Sequence, residues 1–498
     1  MDCGERGGEM RGVKINTNTD HTFERMNMAI DNMTLLESFV APRATVAERL
    51  QAGKALRAQV PRSSHASFQK AANRPDPVGI LEAQNVSRVQ KLVPVRFARM
   101  LASPFAFLRG SAAVMAADLS TTPVTGMAVG ACGDMHVSNF GVFASAERNL
   151  IFAINDFDEV HPGPWEWDLK RLAASAAVAV RFMDGDRVAA EGAARSIVRS
   201  YRKRMRRYAD MGYLQIWYDR IDERAVLDTL SPRARRGAER LMDKAWAKSH
   251  VAVLEKLTEQ VDGEHRIIEE VPLIVRETET AAGTPVNVAL DNMLQAYIQS
   301  LPIDRRVLLS RYRIVDSARK VVGVGSVGTG CWVVLLQGID SDDPLFLQVK
   351  QAQTSVIAPY VEQKLRFDNQ GRRVVVGQRL AQGSPDIFLG WGEVDGKDFY
   401  VRQLADMKGS LKFNESDPST LNGFIEYCAL CGWALALAHA KSGNPAMIAG
   451  YCGNSDTLDE AIGRFAMAYS KQTDEDYDAL DKARRTGRIK VAAPEMVK

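Results

Sequence analysis

The chain has 498 residues, 46% of them hydrophobic and 25% charged, with a formal net charge of +3. That length calls for two or three cooperating lobes rather than a single core. So small a charge excess gives no reason to assign a nucleic-acid or membrane partner, and the composition is that of an ordinary globular protein.

Residues 1–43, rich in Asn, Thr and Met with weak periodicity, read as an N-terminal arm without stable structure. Asp2, Glu5 and Glu9 precede any apolar run, which does not fit a secretory signal, and the expected location is cytoplasmic. Helical spacing follows over 44–59 and 77–100, where Arg96, Arg99 and Arg109 add a basic edge that reads as a solvated helix face, with a binding role as the alternative.

From 126 to 158 the pattern becomes strand, polar loop, strand at 150–154 and acidic loop. The first loop, Cys132-Gly-Asp-Met-His-Val-Ser-Asn139, sets an aspartate and an asparagine five residues apart, and Asp156 follows the strand. Phosphoryl transfer needs a carboxylate to orient the attacking hydroxyl and oxygen ligands for Mg²⁺. Asp134 is the expected base, and Asn139 and Asp156 the expected metal ligands. Asp158 or Glu159 could hold a second metal, with solvation of a helix start the favoured reading of Glu159. His136 reads as a residue that orders the loop by hydrogen bonding, with direct proton transfer as the alternative. Asp168 reads as the N-cap of a helix over 168–182, reaching back to order the loop. A second long helix is expected over 187–211, and charged helical spacing runs on to about 256.

Residues 311–408 switch to a β pattern, with runs at 319–324, 331–337, 345–350, 373–379 and 399–404 separated by Gly338 and by Asp395-Gly396. Gly323, Gly325 and Gly328 form a GxGxxG extended by Gly330, a weak signal alone. The apolar run that follows, Cys331-Trp-Val-Val-Leu-Leu336, is a strand rather than a helix. That excludes a dinucleotide fingerprint and sets the loop, with Ser326 and Thr329, between two antiparallel strands. Glycines there let backbone N–H groups approach phosphate oxygens closely. Lys350, ending the next apolar strand, needs an anionic partner. Phosphate and a helix carboxylate would serve; Glu362, in a helical stretch over 355–367, is the candidate, with Glu393 as the substitute.

Helical spacing returns after 421. The apolar stretch 427–440 ends at His439 and Lys441, too short for a bilayer span and suited to a buried helix. Six cysteines in so long a chain do not make a disulfide framework, and Cys428 and Cys431 form a lone CxxC inside the helical pattern, which reads as core.

GDMHVSN, the IND after the strand and the later WDL resemble the GDxHxxN, ID and DL series of aminoglycoside and choline phosphotransferases in the protein-kinase-like superfamily. Over a longer span, RMLASPFAFLRG, CGDMHVSNFG, NDFDEVHPGPWEWDLKRLAAS, DFYVRQLADMKGS and CGWALALAHAKSG together resemble a bacterial family known as domain of unknown function 2252, across about residues 53–472. The first resemblance implies an α+β, two-lobed, protein-kinase-like fold. Ordinary kinases carry the glycine loop before the catalytic loop, and here the order is reversed. The implied fold is therefore circularly permuted, cut between the helix ending in Leu437-Ala438-His439 and Gly133. Residues 311–408 become the nucleotide-binding lobe, and 44–310 with 409–498 the helical lobe. The hinge passes near 402–408, where Arg402, Asp406 and Lys408 have no assigned role.

The expectation is an ATP- and Mg²⁺-dependent phosphotransferase acting on a hydroxyl of an unidentified small molecule or protein. The same ligands would serve nucleotidyl transfer with ATP inverted, and a non-catalytic ATP-binding protein remains a third reading. A metallophosphoesterase is least favoured: Gly185-Asp186 would have to supply its second motif, and no GNH occurs. Acceptor choice is expected to lie in residues 187–276.

Overall fold

The structure is a computed structural model that describes residues 36, 38–247, 250–280, 282–321, 323–362, 367–404, 407–409 and 421–496. Almost all of the expected N-terminal arm lies outside the described residues, as does Asp406. The fold class is α+β.

Three long helices make the frame of the helical region: Trp165–Phe182, Arg187–Ala209 and Leu421–Ser442, with Thr457–Arg485 packed across the first two. Asp186 starts the second helix by accepting from Ala189 N at 2.7 Å, and this cap is the role the structure gives it. Ala190, Ala194, Ile197, Val198, Tyr201, Met205 and Tyr208 recur at helical spacing and are buried. Against them lies Leu421–Ser442, where a Cβ on Gly432 would stand 2.3 Å from the Ile197 carbonyl oxygen. Only glycine lets the two backbones approach this closely. Leu421–Ser442 is long and apolar enough to cross a membrane by length and composition, but residues such as Cys428, Leu435 and His439 are fully enclosed by protein. The expected buried helix, and the core role of Cys428 and Cys431, are what is found.

The β-rich region is a six-stranded antiparallel sheet ordered Gly390–Val394, Lys397–Gln403, Pro344–Gln351, Cys331–Gln337, Arg313–Lys320, Ile274–Val275. Successive side chains on a strand face opposite ways. On the central strands Leu347, Val349, Phe399 and Val401 join the core against helix Val286–Ser300, while Gln348, Lys350, Tyr400 and Arg402 turn toward the helical region. Material upstream of residue 311 thus belongs to this sheet's packing: Tyr297 donates to the Phe388 carbonyl at 2.7 Å and Ser300 accepts from Trp391 N at 2.9 Å.

Two expected elements change type. The run 373–379, read as strand from its valines, lies in helix Gln370–Ala381, capped by the Asn369 side chain accepting from Arg372 N at 2.9 Å. Here burial on both Val374 and Val375 overrides β propensity. The stretch 355–367 holds a single short turn, Ala358–Tyr360, before residues 363–366, which lie outside the described residues. The strand expected at 319–324 runs instead over Arg313–Lys320, so Val324 belongs to the glycine loop.

Candidate active site

Two antiparallel pairs clamp the polar loops side by side. Strand Ala128–Ala131 pairs with His161–Pro164, with Ala131 opposite His161, and Phe140–Ala144 pairs with Leu150–Ile154, with Phe140 opposite Ile154. Each of the loops 132–139 and 155–160 therefore begins beside the end of the other, and Asn155 N donates to the Asn139 carbonyl at 3.0 Å. At the crossing Gly133 has φ +72°, and a Cβ on it would sit 2.7 Å from the Glu159 carbonyl oxygen. The turn needs a residue with no side chain.

Asp168 orders this loop from within the helix rather than from its N-cap, which is Pro164. Its buried carboxylate accepts from Cys132 N at 2.6 Å and Gly133 N at 2.9 Å, and His439 Nε2 stands 3.3 Å away, with Tyr201 on the other ring nitrogen at 2.9 Å. One turn on, Arg171 grips the Asp134 carboxylate and donates to the Leu108 carbonyl at 2.8 Å. Sequence reading missed Arg171, although its spacing of three from Asp168 already sets the two on one helix face.

Asp134 lies at the floor of the cleft with about a quarter of its side chain exposed. Burial pushes its pKa up to about 6, against the pull of Arg171. His136 is buried, and burial beside Arg109 and Arg171 holds its imidazole neutral. Its Nε2 is 3.9 Å from Asp134 Oδ2, beyond hydrogen-bond range, and its Nδ1 has no partner among the described residues. The loop-ordering bond comes from its backbone carbonyl, which accepts from Asn139 N at 2.8 Å. Asn139 Nδ2 donates to the Asp134 carbonyl at 2.7 Å, so the amide oxygen is the atom left to meet a cation.

The glycine loop joins Arg313–Lys320 to Cys331–Gln337, the antiparallel hairpin expected. It is held down from the N-terminal helices: Arg99 donates to the Gly323 carbonyl and Arg88 to the Val327 carbonyl, both at 2.6 Å, and Val89 N to the Gly328 carbonyl at 2.8 Å. Arg96 and Arg99 are thus not a solvated face, and Arg96 is 1% exposed. The loop descends onto the acidic pair, with Ser326 donating to Asp158 Oδ2 at 3.3 Å. The side of Gly325 where a Cβ would stand faces Asp134 Oδ2 at 3.9 Å. Thr329 Oγ1 turns inward to the Ser326 carbonyl at 2.8 Å, and Gly328, at φ +85°, makes the turn.

Lys350 sits directly opposite both Cys331 and Tyr400, on the sheet face toward the acidic loops. Its ammonium pairs with Asp158, whose other oxygen accepts from the Tyr400 hydroxyl at 2.6 Å. Burial alone would lower the lysine pKa, yet Asp156 and Asp158 hold it well above the ordinary value. The carboxylate expected from Glu362 is therefore supplied by the acidic loop; Glu362 is exposed and off any helix, and Glu393 lies on strand Gly390–Val394. With both oxygens engaged, Asp158 is the lysine's partner, and Asp156 and Asn139 are the oxygen donors facing the cleft. Glu159 does not start a helix: it accepts from Val356 N at 2.8 Å, and burial raises its pKa to about 7.

Arg402 finds a role as a brace between the two regions, donating to Gln348 Oε1 at 2.9 Å and the Asn155 carbonyl at 3.2 Å. Lys408 is lowered to about 8 by burial near Arg402. Two cavities meet here. One of about 620 Å³ is lined by Lys350, Arg402, Lys408, Leu404, Phe388 and Asp156; the other, of about 100 Å³, by Asp134, His136, Asn139, Asp158 and three arginines. Asp156, Gly323 and Ser326 border both. Among the described residues no three His, Cys, Asp or Glu side chains gather as a metal cluster, so a cation here would rest on the Asn139 and Asp156 pair. That is a donor set of hard oxygens, suited to Mg²⁺, which keeps several waters.

No curated protein and no solved structure matches the chain. A family model described as an uncharacterized protein conserved in bacteria, DUF2252, matches residues 88–483, a span that holds both acidic loops, the glycine loop and the His439 helix. The chain belongs to the bacterial DUF2252 family.

Proposed function

We propose that the chain is an ATP- and Mg²⁺-dependent phosphotransferase with a circularly permuted, two-lobed, protein-kinase-like fold. The observation that carries this reading is the meeting of Asp134, Asn139, Asp156, Lys350 and the glycine loop at one cleft, although the two sets are far apart in the chain. Permutation is supported by the end of helix Leu421–Ser442, where Ser442 accepts from Gly130 N at 3.0 Å and His439 reaches Asp168. In unpermuted order a short link there would lead from that helix straight into the catalytic loop.

Lys350 and the glycine-loop amides would hold the nucleotide phosphates, and Asn139 and Asp156 the cation. The larger cavity, apolar at Phe388 and Leu404, would take the base. When bound, Mg·ATP supplies an electrophilic γ-phosphorus: the acceptor O–P bond forms as the bond to the β-phosphate oxygen breaks, the proton passing to Asp134 and the electron pair to ADP. Asp134, held near pH 6 and oriented by Arg171, is a carboxylate at neutral pH that can still accept a proton.

Equilibrium binding of ATP with and without Mg²⁺ tests the site. Asp156→Ala is expected to abolish the Mg²⁺-dependent part, and Asp134→Ala to spare binding and remove turnover. Equal nucleotide affinity in wild type, Asp156→Ala and Lys350→Ala would sink the reading. Release of AMP adducts in place of ADP would move the assignment to nucleotidyl transfer.

A further inference from the structure

The smaller cavity carries positive charge that phosphoryl transfer from ATP does not use. Arg88, Arg96 and Arg109 line it beside Asp134. Arg96 is 1% and Arg88 8% exposed. Most other buried arginines meet carboxylates: Arg74 meets Asp118 and Asp476, Arg171 meets Asp134, Arg202 meets Asp459 and Arg319 meets Glu277. Buried Arg373 has its Nε, Nη1 and Nη2 taken up by the oxygens of Gln370, Val160, Asp158 and Gln353 instead.

Arg88, Arg96 and Arg109 also meet no carboxylate among the described residues. Arg96 is fixed by the neutral oxygens of Asn85 at 2.5 Å, Gln84 at 3.1 Å and the Gly110 carbonyl at 3.0 Å, and Arg88 by the Val327 carbonyl. The Nε atoms of all three are buried without an acceptor. Burial lowers the Arg88 pKa to about 10 and those of Arg96 and Arg109 as well, and the pull of Glu159 and Asp158 on Arg88, of Glu159 on Arg96 and of Asp134 and Asp156 on Arg109 offsets this only in part. Buried guanidinium groups with no carboxylate in direct contact are costly unless an anion completes them.

We propose that the acceptor is a small molecule bearing, besides its hydroxyl, an oxyanion (a phosphate or carboxylate) that Arg88 and Arg109 bind, with Arg96 behind them. The assignment to the acceptor rests on the phosphotransferase reading, because Lys350, Arg402 and Lys408 serve the other cavity and Asp134 borders only this one. Guanidinium groups suit such oxyanions, which they engage through paired N–H donors. A cavity of about 100 Å³ admits a compact head group rather than a folded protein segment.

The test titrates inorganic phosphate into the full chain at saturating Mg²⁺ and a non-hydrolysable ATP analogue, so that the γ-phosphate position is already filled. Binding is followed by calorimetry and by the shift in melting temperature. Wild type is expected to bind phosphate, Arg109→Gln and Arg88→Gln to weaken it about tenfold, and Arg109→Lys to recover part of the loss. Analogue affinity, titrated separately, is expected to stay within about twofold in Arg109→Gln. Arg109 is the less buried residue, so its variants carry the test if Arg88→Gln fails to fold.

No phosphate binding by wild type with the analogue bound overturns the oxyanion site while leaving the phosphotransferase reading intact. Parallel loss of phosphate and analogue affinity in Arg109→Gln also overturns it, assigning the arginines to the nucleotide; Arg88 anchors the glycine loop, so its variant is read for phosphate alone. Failure of wild type to bind the analogue at all overturns the phosphotransferase reading and the acceptor assignment with it.

Discussion

The Lys350 ammonium is paired with the Asp158 carboxylate, joining the sheet to the acidic loop across the cleft. Lys350 is 3% exposed and Asp158 24%, so the pair is sealed on one side only. Removing one member of a fully buried pair costs about 3–5 kcal/mol, and partial exposure of Asp158 reduces this. Lys350→Met is expected to lower stability by about 2–3 kcal/mol in urea unfolding and to remove measurable ATP affinity. Asp158→Asn, which keeps an acceptor for Tyr400, is expected to lose less of both. If Lys350→Met binds ATP as wild type does, the pair is structural alone.

The proton-accepting role proposed for Asp134 fixes the sign of a pH dependence. With its pKa raised to about 6, the protein holds the protonated acid below that pH and the carboxylate above it. Only the carboxylate accepts the acceptor's proton. Turnover per unit substrate, read as ADP release with water as acceptor, is expected to rise about tenfold per pH unit below 6 and to level off above about 7. Neutral His136 adds no second limb there. Asp134→Asn is expected to reduce the rate about 10²–10⁴-fold and flatten the profile. A profile of unchanged shape in that variant would assign the proton to another group.

The acidic half of the site was legible because loop chemistry is local: strand 150–154, Asp134, Asn139 and Asp156 follow from spacing within a few dozen residues. The glycine hairpin was legible for the same reason, from glycines followed by a strand. The partner of Lys350 was not, because helix and acidic loop offer the same chemistry, and only the packing of two distant segments chooses between them. Arg88 and Arg96 escaped for a related reason. A run of basic residues at helical spacing looks solvated until another element covers it; here the glycine loop meets Arg88, and Asn85, Gln84 and Gly110 hold Arg96. The valines of 373–379 misled through propensity, which yields to a capped helix with a buried face.

Asp168 joins helix Leu421–Ser442 to loop 132–139, so its loss should be felt at a distance. Asp168→Ala strands two buried backbone donors, Cys132 N and Gly133 N, and leaves His439 without its acceptor. Each unsatisfied buried group costs about 1–3 kcal/mol, and a loss of about 2–5 kcal/mol is expected by chemical unfolding. His439→Ala leaves the backbone donors satisfied and is expected to lose less stability. If the two variants are equally destabilised, the helix contact rather than the loop amides is what Asp168 supports.

The glycine loop separates conformational need from functional need at neighbouring positions. Gly328 has φ +85°, and a Cβ there would meet the Arg88 Cβ at 3.2 Å. A left-handed alanine costs about 1–2 kcal/mol before any contact is counted. Gly328→Ala is therefore expected to lower the melting temperature. Gly325 has an ordinary φ, and its added methyl would make only van der Waals contact, at 3.5 Å from the Arg109 carbonyl oxygen. Gly325→Ala should leave the melting temperature of the free protein nearly unchanged. Its methyl nevertheless points toward Asp134, into the space where phosphate and acceptor would meet, so ATP affinity or turnover should fall about tenfold. The measurement is the pair of melting curves with and without Mg·ATP: Gly328→Ala lowers both, whereas Gly325→Ala lowers only the gain from nucleotide. Equal gains in wild type and Gly325→Ala, with turnover also equal, would remove the glycine loop from the site.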